Sequence, residues 1–254
     1  MLNQFRLLGA HLSTFTERWV PDAWIICLML TAFAGVLCVV GAGATVEETV
    51  LAWGAGVWNL LGLAMQFTIA MVAAHACVAS RPVYRFFNWM ASLPNPSKPV
   101  QALLLAGTFS IFMGYLNWAV CLVSCALFTP FILRRNPNVD ARLLICASYL
   151  GIGTVWHGGL SGSAPLILAT PGNPLLAPAS GAQIVDRLYP VTETLYNHFN
   201  LVFLVVIGLT GLVTTCLLHP RTGARTLTPE QAEAIMPAPP AEDPPPQTPA
   251  DYID

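Results

Sequence analysis

Within eight residues, Gly158-Gly159-Leu160-Ser161-Gly162-Ser163-Ala164-Pro165 offers free backbone amides, two hydroxyls and a proline able to open a new helical turn. The start of a helix presents unpaired N–H groups and a partial positive charge, so a small carboxylate can bind there without any arginine. Carbonyls ending a preceding half-helix can hold a cation. Packing supplies a competing reading, in which the glycines only let helices approach closely. The clustering of Gly, Ser and Pro between two apolar halves favours a binding site. Beside it, His157 is a candidate proton site, since an imidazole titrates near neutrality; the alternative is that it bonds a freed carbonyl.

The same residues suggest an enzyme, because Gly159-Leu160-Ser161-Gly162 matches the GxSG of rhomboid-type intramembrane serine proteases. A serine nucleophile needs a base within hydrogen-bond reach. His75 or His198 would serve only by accident of packing, and the Ala-His-x-x-Gly pattern of those proteases is absent after His198. An enzyme is therefore not expected.

These residues sit in a longer stretch, Leu143 to Pro174, that contains no Asp, Glu, Lys or Arg yet is interrupted by Gly151, Gly153, Gly158, Gly159, Gly162, Pro165 and Pro171. At about 1.5 Å per residue, a straight helix of that length overshoots a hydrocarbon core of roughly 30 Å. The chain must unwind midway, and unwound backbone at membrane depth is tolerated only inside protein or beside a water-filled cavity.

Composition places all of this in a bilayer. The 254 residues are 55% hydrophobic and 9% charged, with a mean hydropathy of +0.62, against about one-quarter charged residues in a soluble domain. No basic patch is large enough to track nucleic acid phosphates. The seven cysteines fall in apolar segments without metal-ligand spacing, and they read as small buried residues. No metal or cofactor is expected.

Residues 1–20 carry Phe5, Leu8, Leu12, Phe15 and Trp19 at helical spacing between polar groups, the pattern of an interfacial amphipathic helix. Residues 21–220 form the transmembrane domain. Its first span is Ala23 to Ala42, after which Glu47 and Glu48 lie in a short connection. A second span, Val57 to Ser80, holds Asn59, Gln66 and His75. The uncharged run Val100 to Leu133 is too long for one span and splits near Gly114 to Asn117 into halves of about 17 residues, roughly 25 Å each. A re-entrant hairpin with Asn117 near its tip fits it best, and two short complete spans are the alternative. Asn117 can satisfy the tip's amides or coordinate an ion. The last span is Leu201 to Leu218. Residues 221–254, with PAPPAEDPPPQTP, are expected to be a disordered Pro-rich tail.

Charge orients the spans. With both termini cytoplasmic, only Arg187 of the 11 Lys and Arg falls outside, as the positive-inside bias demands. No span holds an Asp or Glu for a proton relay, which favours carbonyl-coordinated Na⁺ over H⁺ as coupling ion.

Longer motifs point to a family. Arg18-Trp-Val-Pro-Asp22, Trp53-Gly54, Trp58-Asn-Leu-Leu61, Met65-Gln66, Asn117-Trp118, Gly158-Gly-Leu-Ser-Gly-Ser163 and Ala169-Thr-Pro-Gly-Asn-Pro174 resemble the N-terminal half of the bacterial short-chain fatty acid transporters, the AtoE-like family. The resemblance implies an all-α polytopic membrane protein. It would be one repeat of an inverted-repeat transporter fold, with a re-entrant hairpin and a discontinuous helix, in the bacterial cytoplasmic (inner) membrane. It further implies secondary, ion-coupled transport of short monocarboxylates such as butyrate or acetoacetate. Thr170 and Asn173 join Asn117, Gly158, Gly159, Ser161, Gly162 and Ser163 as candidate substrate or ion ligands. His157 departs from the glycine of some relatives, so a titrating role for it is not part of the resemblance. Members of the family are nearly twice as long, so a separately encoded second half, or less favourably a homodimer, is the expected partner. The alternative is an assembly or regulatory half-protein without transport.

Overall fold

The computed structural model describes residues 12, 15–16, 18–172, 185–220 and 222–238, and every regular element among them is helical. The expected interfacial helix over 1–20 falls largely outside the described residues, as does the tail beyond 238. The chain divides into two compact units, Met1–Ala70 and Met71–Asp254.

In the first unit, α1 (Ala23–Val36) is opened by Asp22, whose carboxylate accepts from the Trp24 amide at 2.8 Å. A π-helical turn, Leu37–Gly41, extends it to 19 apolar residues, long enough to span a bilayer. Gly43 then turns the chain at a φ of +72°, the left-handed region where a side chain is strained. The next helix, α2 (Val46–Asn59), starts earlier than expected. Thr45 accepts from the Glu48 amide at 3.2 Å while the Glu48 carboxylate accepts from the Thr45 amide at 2.8 Å, a reciprocal capping box. Those bonds hold the Glu48 carboxyl below its usual range. Glu47 and Glu48 are thus the first turn of a helix and not a connection. Thr45→Ala is expected to destabilise α2 by about 1 kcal/mol, checked as a lower thermal midpoint in detergent.

A further helix, α3, covers Leu61–Val78, so the expected single span from Val57 is interrupted at Leu60. Gln66 and His75 on it are exposed.

The second unit is built on a helical hairpin. Helix α5 (Pro99–Leu116) and α6 (Trp118–Arg135) meet at Asn117, whose backbone is extended at φ −157°, ψ 128°. They run antiparallel, since Ser110 faces Cys121 and the Phe109 and Phe128 rings lie 5.0 Å apart. At the end away from Asn117, α4 (Arg81–Met90) inserts Phe87 between Phe109, Phe128 and Phe131 at centroid distances of 5.0 to 6.0 Å. Such aromatic pairs contribute about 0.5–1.5 kcal/mol each beyond area burial.

Against the hairpin packs the interrupted segment: α7 (Ala141–Ser148), α8 (Leu150–Thr154), a 3-10 turn (Trp156–Gly158) and α9 (Ser163–Ala169). Small residues make the contact. A Cβ on Gly114 would lie 2.7 Å from the Gly151 carbonyl carbon, so the two backbones touch. The Gly151 amide donates to the Ser110 hydroxyl at 2.9 Å, and the Thr129 and Ser148 hydroxyls bond at 2.8 Å. This is the small-residue and polar packing by which helices associate in lipid. The closing helix, α10 (His198–Leu218), lies on α5 and α8, and a Cβ on Gly208 would lie 3.6 Å from the side chains of Ile111 and Val155.

Part of the segment expected to be disordered is built. Asp140 caps α7 through the Leu143 amide at 3.1 Å and also accepts from the Arg225 amide at 2.8 Å. The short helix α11 (Pro229–Ala234) follows, with Glu233 2.9 Å from Arg134. Residues 222–236 therefore return to the base of the hairpin.

Among the described residues, four helical stretches are long and apolar enough to cross a membrane: Ala23–Gly41, Pro99–Leu116, Trp118–Arg135 and His198–Leu218. Cys27, Cys38, Cys77 and Cys146 are exposed, contrary to expectation, while Cys121 and Cys125 are buried. Apolar side chains on a membrane helix need no protein cover, so hydrophobicity does not predict burial there.

Candidate functional site

The break is a consequence of local chemistry. Tyr149 ends α7 and Val155 ends α8, both at φ −108°, and the chain then passes through the 3-10 turn into extended backbone at Gly159 and Gly162. Glycine is required by close approach at these points. A Cβ on Gly159 would lie 2.5 Å from the Tyr115 carbonyl oxygen, and one on Gly162 would collide with the carbonyl oxygen of His157. Pro165 starts no bond of its own, because it has no amide.

Most of the amides freed by the break are taken up again. Gly158 donates to the Val155 carbonyl at 3.2 Å, Gly159 to Trp156 at 3.1 Å, Leu160 to Tyr115 at 2.7 Å and Gly162 to Gly159 at 2.9 Å. Among the described residues, the amides of Ser161, Ser163 and Ala164 carry no hydrogen bond.

The hairpin joint and the break are locked together. The Ser161 hydroxyl oxygen accepts from the Trp118 amide at 2.9 Å. The Asn117 side-chain oxygen accepts from the Ala119 and Val120 amides at 2.9 and 3.1 Å, and the Cys121 amide reaches the Asn117 carbonyl at 3.0 Å. All four amides of the first turn of α6 are therefore satisfied, three of them by side chains: one by Ser161, 43 residues away, and two by Asn117, two and three residues away. That helix end has no amide left for an anion. Asn117 keeps its side-chain NH₂, and it is exposed.

The other candidates are placed as follows. Ser163 is the exposed first residue of α9. Thr170 donates from its hydroxyl to the Leu166 carbonyl at 2.7 Å, within its own helix. His157 is exposed with its ring 3.9 Å from that of Trp156, and among the described residues its imidazole makes no hydrogen bond to a freed carbonyl. Asn173 lies outside the described residues. Asn117, Gly158, Gly159, Ser161, Gly162 and Ser163 thus come together where the hairpin joint meets the break.

One residue of this region escapes sequence reading. The Asn200 side-chain NH₂ donates to the Gly158 carbonyl at 3.0 Å and to the Leu195 carbonyl at 2.8 Å, pinning the break to the start of α10. An Asn one turn into an apolar helix is a usable signal, but only if the helix is begun at His198. Asn200→Ala is expected to leave two carbonyls without partners at a cost of about 1–3 kcal/mol, measurable as reduced thermal stability.

An apolar cavity of about 540 Å³ runs between α5 and α10 and ends at the break, with Ile111, Phe112, Tyr115, Val155, Leu204 and Gly208 in its wall. After α9, the loop is fastened by the Tyr189 amide, which donates to the Leu168 carbonyl at 3.1 Å. Arg187 and Glu193 pair there through two bonds of 2.7 and 3.2 Å, which hold the Glu193 carboxyl below its usual range.

A broken helix is thus seated on the joint of a helical hairpin, with unpaired amides and no charged side chain between Leu143 and Gly172. The family described as Short chain fatty acid transporter matches residues 4–231. The chain belongs to that family. It is 34% identical over 214 residues to a protein of Escherichia coli named as a short-chain fatty acid transporter, covering 84% of this chain and 46% of that protein. It is 30% identical over 217 residues to a Haemophilus influenzae protein of the same name, covering 85% of this chain and 48% of that one. The chain therefore spans about half the length of the curated relatives it matches. No solved structure matches it. Membership in this transporter family sets aside the protease reading of Ser161, whose hydroxyl oxygen accepts from the Trp118 amide.

Proposed function

We propose that the chain carries short-chain monocarboxylates, such as butyrate or acetoacetate, across the bacterial cytoplasmic membrane as one repeat of an inverted-repeat secondary transporter, with both termini cytoplasmic. The observation that carries this reading is the meeting of the break with the hairpin joint, in a chain of this family. The carboxylate accepts from the free Ser161, Ser163 and Ala164 amides and the Ser163 hydroxyl, with Asn117 presenting its NH₂ from the hairpin. Gly158, Gly159 and Gly162 let the backbones approach, and Thr170 and Asn173 follow on the same segment. Three free amides and a hydroxyl match the acceptor capacity of one carboxylate without any arginine.

Coupling is to Na⁺ held by backbone carbonyls, because the apolar helices hold no carboxylate for a proton relay; H⁺ coupling would fall to His157. The hairpin is re-entrant in this reading, and the opposite wall of the site comes from a second repeat, on a separately encoded half or a second copy, since carrier sites lie between repeats. In proteoliposomes, labelled butyrate uptake is expected to follow an imposed Na⁺ gradient and to require the second half. A chain that purifies as a stable monomer and takes up butyrate alone would sink the half-site reading. Absence of flux even with the second half would favour a non-transporting assembly role instead.

A further inference from the structure

Helix α4 has two working faces. Phe87 and Met90 are buried against the hairpin, while Arg85, Phe86 and Trp89 point away from it, Phe86 43% and Trp89 57% exposed. The two exposed rings lie 5.8 Å apart. An aromatic pair beside a cation, on a helix laid against the end of a membrane hairpin, matches the chemistry of the headgroup layer, where one side is apolar and the other charged.

The same end of the hairpin gathers cations. Lys98 precedes α5 and Arg134 and Arg135 end α6, so the antiparallel pairing brings them to one end. Two bonds tie the connections there: Asn138 donates to the Pro96 carbonyl at 3.2 Å, and Arg135 donates to the Asn88 side chain at 2.9 Å. From Arg81 to Val139 the sequence holds five basic residues, Arg81, Arg85, Lys98, Arg134 and Arg135, and no acidic one. The first acid, Asp140, is buried and both its oxygens accept backbone amides. Glu233 pairs with Arg134. Among the described residues, Arg85, Lys98 and Arg135 form no ion pair.

We propose that this end of the hairpin binds the phosphodiester headgroups of anionic phospholipids, with Arg85, Lys98 and Arg135 on the phosphates and Phe86 and Trp89 inserted beside them. A soluble anion would satisfy the cations but leave the two rings in water. Membrane lipid alone supplies an anionic layer next to an apolar one.

The test uses the full chain in neutral detergent, titrated with dioleoyl phosphatidylglycerol or dioleoyl phosphatidylcholine and read by native mass spectrometry. Phosphatidylglycerol is expected to bind more tightly, and R85Q/K98Q to reduce its binding about 30-fold, about fivefold for each cation removed, with phosphatidylcholine binding unchanged. R85K/K98R keeps the charges and is expected to keep the preference; both pairs are exposed, so folding is not at stake. Equal binding of the two lipids overturns the proposal, as does an undiminished preference in R85Q/K98Q or a lost one in R85K/K98R. Displacement of phosphatidylglycerol by equimolar inorganic phosphate overturns it too, by making the site one for a soluble anion.

Discussion

Gly151→Ala is expected to separate the interrupted segment from the hairpin and to lower the thermal midpoint of the detergent-solubilised chain more than any other single methyl addition. A Cβ at Gly151 would collide with the Ser110 carbonyl oxygen, and no rotamer change relieves a clash with backbone. The only escape is to move α8 off α5, which breaks the 2.9 Å bond from the Gly151 amide to Ser110 and opens the contact with Gly114. Overpacking typically costs about 1–3 kcal/mol, and a clash with backbone falls at the upper end of that range. Size-exclusion profiles before and after heating check it. Gly153→Ala is the control, since a Cβ there meets nothing within 4 Å. Similar losses in the two variants would refute the claim that the backbones are in contact at Gly151.

The second large effect is expected from Asn117→Ala combined with Ser161→Ala, which strips three amides at the start of α6. Removing a capping side chain costs about 1–2 kcal/mol, and an amide left unpaired away from water costs about 1–3 kcal/mol. The pair should therefore destabilise the hairpin by about 3–4 kcal/mol, and because both residues cap one helical turn the single effects should not simply add. Measuring butyrate uptake by the same variants, reconstituted in proteoliposomes with the second half, separates two roles of Ser161. If Ser161→Ala lowers uptake in step with thermal stability, the hydroxyl acts by holding the hairpin to the break. If uptake falls while stability is unchanged, Ser161 contacts substrate.

These two variants mark the boundary of sequence reading. The interruption of residues 143–174 follows from glycines and prolines set in an apolar run too long for one helix, and the joint at Asn117 follows from a similar length argument. Both depend on local composition and on the thickness of a bilayer. The capping box at Thr45 and Glu48 is just as local. Its Thr-x-x-Glu spacing was readable, but two adjacent carboxylates between apolar runs resemble a loop more than a helix start.

What the sequence by itself determined is the membrane class, the apolar helices, the break and its motifs, and through those motifs the family. Each rests on patterns repeated over a few residues, where propensity, periodicity and length act alone. Only the tertiary structure decided how the freed amides are used. Ser161 lies 43 residues from the Trp118 amide it accepts, and Asn200 lies 42 residues from the Gly158 carbonyl it holds. Such pairings form when helices dock, because a buried polar group takes whatever partner packing brings within about 3 Å. Docking thus assigned the amides around Gly158 to Gly162 to the fold itself, and kept Ser161, Ser163 and Ala164 free at the junction with the hairpin.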